Sequence, residues 1–68
     1  MQKFSMRLKE LRVRHQLSQQ KLSDIIGVSK SSINMYERGE RELPLWAAIK
    51  LADYYRVTLD YLVGRTNK

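Results

Sequence analysis

The residues best suited to chemistry lie close together between positions 30 and 38, and they carry hydrogen-bonding groups rather than a catalytic set. Lys30, Ser31, Asn34 and Arg38 recur at the spacing of one helical face. A lysine ammonium can bond guanine O6 and N7, and an asparagine amide can pair with adenine N6 and N7. This short, cationic face therefore suits base edges and phosphates, although each side chain could equally be solvated helix surface.

Two short helices joined by a tight turn are predicted to carry this face. Ser18 can cap the first helix, whose apolar residues recur every three or four positions, and Gly27 ends it. Ser29 can cap the second helix, residues 29–38, which Gly39 ends in the same way. This arrangement predicts a helix-turn-helix in which residues 29–38 form the recognition helix.

Three further helices are predicted around this pair. The first spans Met6–His15 with Ser5 as its N-cap, after a frayed lead-in over residues 1–4. The others span Leu45–Tyr55 and Leu59–Val63. The residues predicted to face the core from these helices are Leu8, Leu11, Leu45, Ala48, Ile49, Ala52, Tyr55 and Leu62. Trp46 lies off this stripe, where it would cover a core edge, meet a partner subunit or approach DNA.

In this order and spacing, the sequence resembles the Xre/Cro-type helix-turn-helix regulators, which include the lambdoid phage repressors. The matching segments are Arg7-Leu8-Lys9, Leu17-Ser18-Gln19, Gly27-Val28-Ser29, Ser32-Ile33, Glu37-Arg38-Gly39 and Leu59 to Gly64. Ser23 stands where the family usually has alanine, and Tyr36 where it has an aliphatic residue. The resemblance implies an all-α, lambda repressor-like bundle of five short helices over residues 1–64, with 65–68 as a polar tail.

Residue chemistry and the resemblance together suggest three groups of site residues. The base-reading positions are Lys30, Ser31, Asn34 and Met35, the last able to touch a thymine methyl. The phosphate-contacting positions are Arg12, Gln19, Gln20, Lys21, Ser29, Arg38 and Gly39. The dimer-forming positions are Arg56, Leu59, Asp60 and Tyr61, although an outward leucine and tyrosine can be ordinary exposed residues.

Two compatible roles are predicted for Arg12. The resemblance implies that it pairs with Glu37 and faces a DNA phosphate. A scaffold ion pair between the first and third helices explains the same residue without DNA. A guanidinium can serve a carboxylate and a phosphate at once.

Composition restricts the classes of function. The chain has 68 residues, enough for one small domain, and a net charge of +6, which favours a polyanionic partner. It has no cysteine, so disulfides and thiolate metal sites are excluded. No apolar run approaches the roughly 18 residues that a membrane span needs, and the first residues lack a signal-peptide pattern, so a cytoplasmic location is expected.

These observations predict a sequence-specific regulator of transcription that binds double-stranded DNA in the major groove. It is expected to act as a repressor, as a homodimer on a pseudo-palindromic operator, with no cofactor or metal and no enzymatic activity. His15 is the single histidine, and the serines are better explained as helix caps than as nucleophiles. The alternative is an antitoxin or anti-regulator module that holds a partner protein through Trp46, Leu59 and Tyr61, with DNA binding secondary.

Overall fold

The computed structural model describes the backbone of residues 2–65 and the side chains of residues 4–65. Within this range the chain forms five α-helices and no β-strand. They are α1 (Gln2–Arg14), α2 (Gln19–Ile26), α3 (Lys30–Glu37), α4 (Leu45–Tyr55) and α5 (Leu59–Leu62). The predicted all-α bundle of five short helices is therefore confirmed. Met1, in the predicted lead-in, and residues 66–68, in the predicted tail, lie outside the described residues.

Helix α1 begins four residues earlier than the sequence predicted, and Ser5 is not its cap. Ser5 lies inside the helix and is buried, as is Phe4 one residue before it. Phe4 precedes the buried Leu8 by four residues, so an added helical turn brings both side chains onto the same apolar face. Burial of the aromatic ring stabilises this turn and overrides the local capping signal of a serine.

The predicted caps of α2 and α3 are confirmed, and Thr58 caps α5 in the same way. In each case a hydroxyl oxygen before the helix accepts a hydrogen bond from the backbone N–H three residues later, at 3.0 Å. The pairs are Ser18–Lys21, Ser29–Ser32 and Thr58–Tyr61. Gly27 ends α2 with φ of +79°, and Gly39 follows the cap residue of α3 with φ of +73°. Glycine adopts this left-handed conformation without steric cost, so each helix can stop and the chain turn sharply.

The core face of α4 differs from the predicted one. Leu45 and Ile49 are 68% and 43% exposed, whereas Leu51, which the sequence analysis did not select, is fully buried. The predicted and the observed stripe share Ala48, Ala52 and Tyr55. Leu45 and Ile49 flank these residues on one side of the helix, and Leu51 flanks them on the other. Apolar periodicity alone therefore does not decide which way the helix is turned.

The buried side chains of α1 to α5 form one core beneath the helix-turn-helix. Its members are Phe4, Leu8, Leu11, Leu22, Ile26, Ile33, Tyr36, Ala48, Leu51, Ala52, Tyr55 and Leu62. Helix α3 packs against both α1 and α2, so its inward face is held on two sides. None of the helices in residues 2–65 is both long enough and apolar enough to cross a membrane.

Candidate nucleic-acid interface

Helix α3 has one buried face and one accessible face. Ile33 and Tyr36 are 0% and 5% exposed, and they attach the helix to the core. The predicted base-reading residues lie on the remaining surface, with Lys30 and Ser31 exposed and Asn34 and Met35 half-buried. The structure thus brings together the four side chains that the sequence selected for base contact.

An ion pair joins α1 to the C-terminal end of α3. Arg12 Nε donates to Glu37 Oε2 at 2.6 Å, and Arg12 Nη2 donates to Glu37 Oε1 at 3.2 Å. Arg12 Nη1 also donates to the carbonyl of Leu17 at 2.8 Å. The side chains of Arg12 and Glu37 are only 13% and 3% exposed. The predicted pair is confirmed, and its bidentate geometry fixes the end of α3 against α1.

Gln19 extends this cluster to the accessible face of α3. Its Nε2 donates to Glu37 Oε1 at 3.2 Å and to Asn34 Oδ1 at 3.5 Å. Sequence reasoning assigned Gln19 to phosphate and Asn34 to a base, and it missed the contact between them. The signal for this contact is tertiary, because 15 residues separate the two side chains along the chain.

The other predicted phosphate-contacting residues lie in the first turn of α2 and at the two ends of α3. Lys21 is exposed at the first turn of α2, and the Gln20 amide donates to Ser23 Oγ at 3.2 Å and Asp24 Oδ1 at 3.0 Å. Arg38 is exposed and pairs with Glu40 at 2.8 Å. Ser29 is occupied as the cap of α3, and Gly39 lies just past its end.

Ser23 tolerates a buried position because its hydroxyl is satisfied locally. The side chain is 2% exposed, and its Oγ donates to the carbonyl of Gln20 at 2.7 Å. A serine hydroxyl that returns to its own helix in this way avoids the cost of an unpaired buried polar group. This explains how α2 carries a serine where the resemblance leads one to expect alanine.

Tyr55 and His15 pack behind the ion pair. Their ring centroids are 4.7 Å apart, and His15 Nδ1 lies 2.9 Å from the carbonyl oxygen of Leu11, so the exposed His15 ring packs on Tyr55 from the protein surface. The Tyr55 hydroxyl is buried without a hydrogen-bond partner among the described residues. Burial, reinforced by the neighbouring Tyr54 and Glu37 and opposed by Arg12, raises the pKa of Tyr55 to about 12.

Tyr55 is therefore expected to make the fold sensitive to alkali. Its pKa is higher in the folded chain than its ordinary value of 10.0, so the unfolded chain loses the proton first as pH rises. This contribution to stability is complete below about pH 10 and is lost between about pH 10 and 12, at up to about 1.4 kcal/mol per pH unit. Urea denaturation across this range should show the free energy of unfolding of wild type falling, as pH rises, relative to that of Tyr55→Phe. Parallel pH profiles would contradict the assignment.

The predicted dimer residues lie at the end of α4 and on α5. Arg56 is exposed and takes a left-handed conformation with φ of 58°, while Leu59 is 38% exposed and Asp60 is exposed. Tyr61 is half-buried, because the Arg7 guanidinium lies 4.1 Å from its ring centroid. The exposed surface at this end of the molecule is therefore formed mainly by Arg56, Leu59 and Asp60.

The sequence of this chain matches a known family and several of its members. Residues 8–62 match the family profile described as Helix-turn-helix. The Bacillus subtilis protein YobD, an uncharacterized HTH-type transcriptional regulator, is 38% identical over 64 residues, which cover 94% of this chain and 57% of that protein. The Vibrio cholerae cryptic phage CTXphi transcriptional repressor RstR is 37% identical over 61 residues, covering 90% and 55%. The chain thus spans about half the length of these curated relatives.

A solved structure shows the same fold together with DNA. The P22 c2 repressor protein, in complex with synthetic operator 9T, superimposes with a TM-score of 0.82. The match is 27% identical and covers 88% of this chain and 91% of that one. The helical arrangement described above is therefore one that a repressor uses in an operator complex.

Proposed function

Since this chain belongs to the helix-turn-helix family, we propose that it is a sequence-specific regulator of transcription that binds double-stranded DNA and acts as a repressor. The observation that carries the proposal is the division of α3 into a face buried through Ile33 and Tyr36 and an accessible face bearing Lys30, Ser31 and Asn34. Two similar proteins, RstR and P22 c2, are repressors by name. We also propose a cytoplasmic location, which this role requires.

In this proposal, α3 enters the major groove and reads base edges. The Lys30 ammonium can donate to guanine O6 and N7. The Ser31 hydroxyl can donate or accept a hydrogen bond, so it can contact any base edge. The Asn34 amide can pair with adenine N6 and N7. Met35 is half-buried beside them and offers an apolar contact to a thymine methyl. These contacts supply sequence preference, while the phosphate contacts set the position of the helix on the duplex.

Phosphate contacts are assigned to groups on either side of α3. Lys21 and the free backbone N–H groups of Gln19 and Gln20 lie at the first turn of α2, where the helix dipole favours an anion. Arg38 serves the C-terminal end of α3 through its side chain, because the N–H groups of Gly39 and Glu40 already donate to carbonyls of α3. The N–H groups at the first turn of α3, just after Ser29, serve its other end. Arg12 is mainly a positioning residue, because Glu37 and Leu17 take three of its donor contacts.

We further propose that two copies bind one operator through a two-fold contact at the end of α4 and on α5. Arg56 and Asp60 carry opposite charges near the exposed Leu59, so the same patch can complement its own copy across a two-fold axis. A dimer of this type requires a pseudo-palindromic site with half-sites about 34 Å apart, one turn of the duplex.

Selection from random duplex DNA, repeated at low and moderate salt, tests the proposed function. We expect enrichment of an inverted repeat that survives moderate salt, because base contacts persist when counterion release weakens. If binding is lost at moderate salt and the selection enriches no sequence, the interaction is non-specific charge attraction. That result would overturn the proposal.

Substituting Asn34→Ala is expected to cost about 1–3 kcal/mol of binding free energy on the selected site and to relax the preference at one base pair. Affinity for random DNA should change little, because the side chain makes no phosphate contact in this proposal. Fluorescence anisotropy with both duplexes measures the two effects. Lys21→Ala is the matched control, since loss of a phosphate contact should weaken both duplexes about equally. Equal losses on both duplexes for Asn34→Ala would remove it from base reading.

One observation favours the second candidate, an antitoxin or anti-regulator module that holds a partner protein. The outward side of α4 presents Leu45, Trp46 and Ile49, which are 68%, 50% and 43% exposed. A contiguous apolar surface of this kind commonly marks protein contact. Failure of the selection experiment, together with a complex that Trp46→Ala abolishes, would place this candidate first.

A further inference from the structure

The last helix, α5, depends on other parts of the chain for its orientation. It has four residues, Leu59–Leu62, and an isolated helix of fewer than about 12 residues is marginal in water. Leu62 is its one buried side chain, at 0% exposure, and it attaches the helix to the core at a single point. The direction in which the rest of α5 faces is therefore set by its contacts with the neighbouring helices, α1 and α4.

Arg7 on α1 holds the residue next to Leu62 at two places. Its Nη1 donates to the carbonyl oxygen of Tyr61 at 2.9 Å, and its guanidinium carbon lies 4.1 Å from the centroid of the Tyr61 ring. Its Nε lies 3.3 Å from Glu10 Oε1, and the Arg7 side chain is 17% exposed. A planar guanidinium can stack on a ring and donate in its own plane at once, which an ammonium cannot do. Arg7 thus fixes both the backbone and the ring of Tyr61.

We propose that Arg7 is a positioning residue for the contact between two DNA-bound copies. Leu59 and Asp60, exposed residues of the proposed two-fold contact, directly precede Tyr61 on the single turn of α5. Rotation of Tyr61 about the helix axis moves both side chains with it, and a two-fold interface requires each patch to meet its own copy in register. This inference rests on the proposed function, and in it Arg7 acts on the partner copy only through α5.

Two observations separate this role from general support of the fold. The Tyr61 carbonyl also accepts from the Gly64 N–H at 3.1 Å, so the bond from Arg7 is not needed to satisfy it. The helix proposed to read DNA is held elsewhere, because the Arg12–Glu37 pair fixes α3 to α1. Loss of the Arg7 contacts should therefore weaken the contact between copies and leave the binding of one copy to its half-site intact.

Binding to a whole operator and to a single half-site tests the proposal. Both duplexes come from the selected operator, and fluorescence anisotropy at one salt concentration gives the affinities. Wild type should bind the whole operator more tightly than its half-site affinity accounts for, because contact between copies makes the second binding event intramolecular. Arg7→Met should lower affinity for the whole operator about 10-fold and change half-site affinity by less than about 2-fold. A variant that was simply less folded would lose half-site affinity as well.

Arg14→Met is the matched control, because it removes the same charge from the same helix. Arg14 Nη2 also lies near Glu10 Oε1, at 3.7 Å, but its side chain is 59% exposed and has no hydrogen bond or ion pair to α5 among the described residues. This control should keep the wild-type difference between the two duplexes. Arg7→Lys keeps the charge but cannot stack and donate together, so it should still lower affinity for the whole operator by about 3-fold or more. It decides the question if circular dichroism shows that Arg7→Met is unfolded.

Leu59→Ala separates this inference from the two-fold contact on which it rests. Leu59 is 38% exposed in the proposed contact itself, so its truncation should lower affinity for the whole operator and spare the half-site. If Leu59→Ala has this effect while both Arg7 variants bind the two duplexes as wild type does, Arg7 does not position α5 and the inference is overturned. Equal losses on both duplexes for the Arg7 variants would overturn it too. If wild type gains nothing on the whole operator, the proposed two-fold contact fails, and the inference fails with it.

Discussion

Substituting Glu37→Gln is expected to lower the free energy of unfolding by about 3–5 kcal/mol. The substitution keeps the side-chain volume but leaves the Arg12 guanidinium, 13% exposed, without its counter-charge. A charge that stays buried after losing its partner is destabilising by more than the pair itself was stabilising. A domain of this size has a total stability of about 3–10 kcal/mol, so the variant should lie close to its unfolding transition at room temperature.

Urea denaturation followed by helical circular dichroism measures this effect. Glu40→Gln is the matched control, because Glu40 pairs with Arg38 at 2.8 Å but both side chains are about half-exposed. An exposed pair contributes about 0–1 kcal/mol, so the control should unfold almost as wild type does. If the two variants were equally stable, the Arg12–Glu37 pair would not be the tie between α1 and α3.

Substituting Leu51→Ala is expected to cost about 2–5 kcal/mol of unfolding free energy. Leu51 is fully buried in the core, so truncation removes apolar contacts and leaves a cavity that the neighbouring helices fill only in part. Leu45→Ala makes the same chemical change six residues earlier on α4, where the side chain is 68% exposed. That control should cost less than about 1 kcal/mol.

The comparison of these two leucines is also a test of how α4 is turned. The stripe predicted from the sequence makes Leu45 the core residue, while the structure gives that place to Leu51. Chemical denaturation of both variants against wild type decides between the two orientations. A larger loss for Leu45→Ala than for Leu51→Ala would restore the stripe predicted from the sequence.

The parts of the fold that were predictable depend on neighbouring residues. The Ser29 cap and the left-handed Gly27 involve groups within a few positions of each other, and short-range chemistry specifies them. Short-range signals were wrong where distant packing opposed them. Ser5 is a good cap in isolation, but burial of Phe4 carries the helix past it.

The candidate site shows the same division. Residue types and helical spacing were enough to select Lys30, Ser31 and Asn34 as one face. The Arg12–Glu37 pair was accessible only through the resemblance, since 25 residues separate its members. The donation from Gln19 to Glu37 was not predicted at all. It depends on how α2 and α3 meet, which no local pattern in either helix specifies.

The way α3 is anchored bears on how readily a protein of this kind can change its target. The residues that hold the helix, Ile33 and Tyr36, point inward, while Lys30 and Ser31 are exposed and make no side-chain contact among the described residues that the fold depends on. Mutation can therefore exchange the exposed pair at little risk to folding and, under the proposed function, generate new sequence preferences. Glu37 does not share this freedom, because its side chain is 3% exposed and pairs with Arg12. Divergence among duplicated copies should accordingly begin at the exposed N-terminal turn of α3 and reach the cluster around Glu37 last.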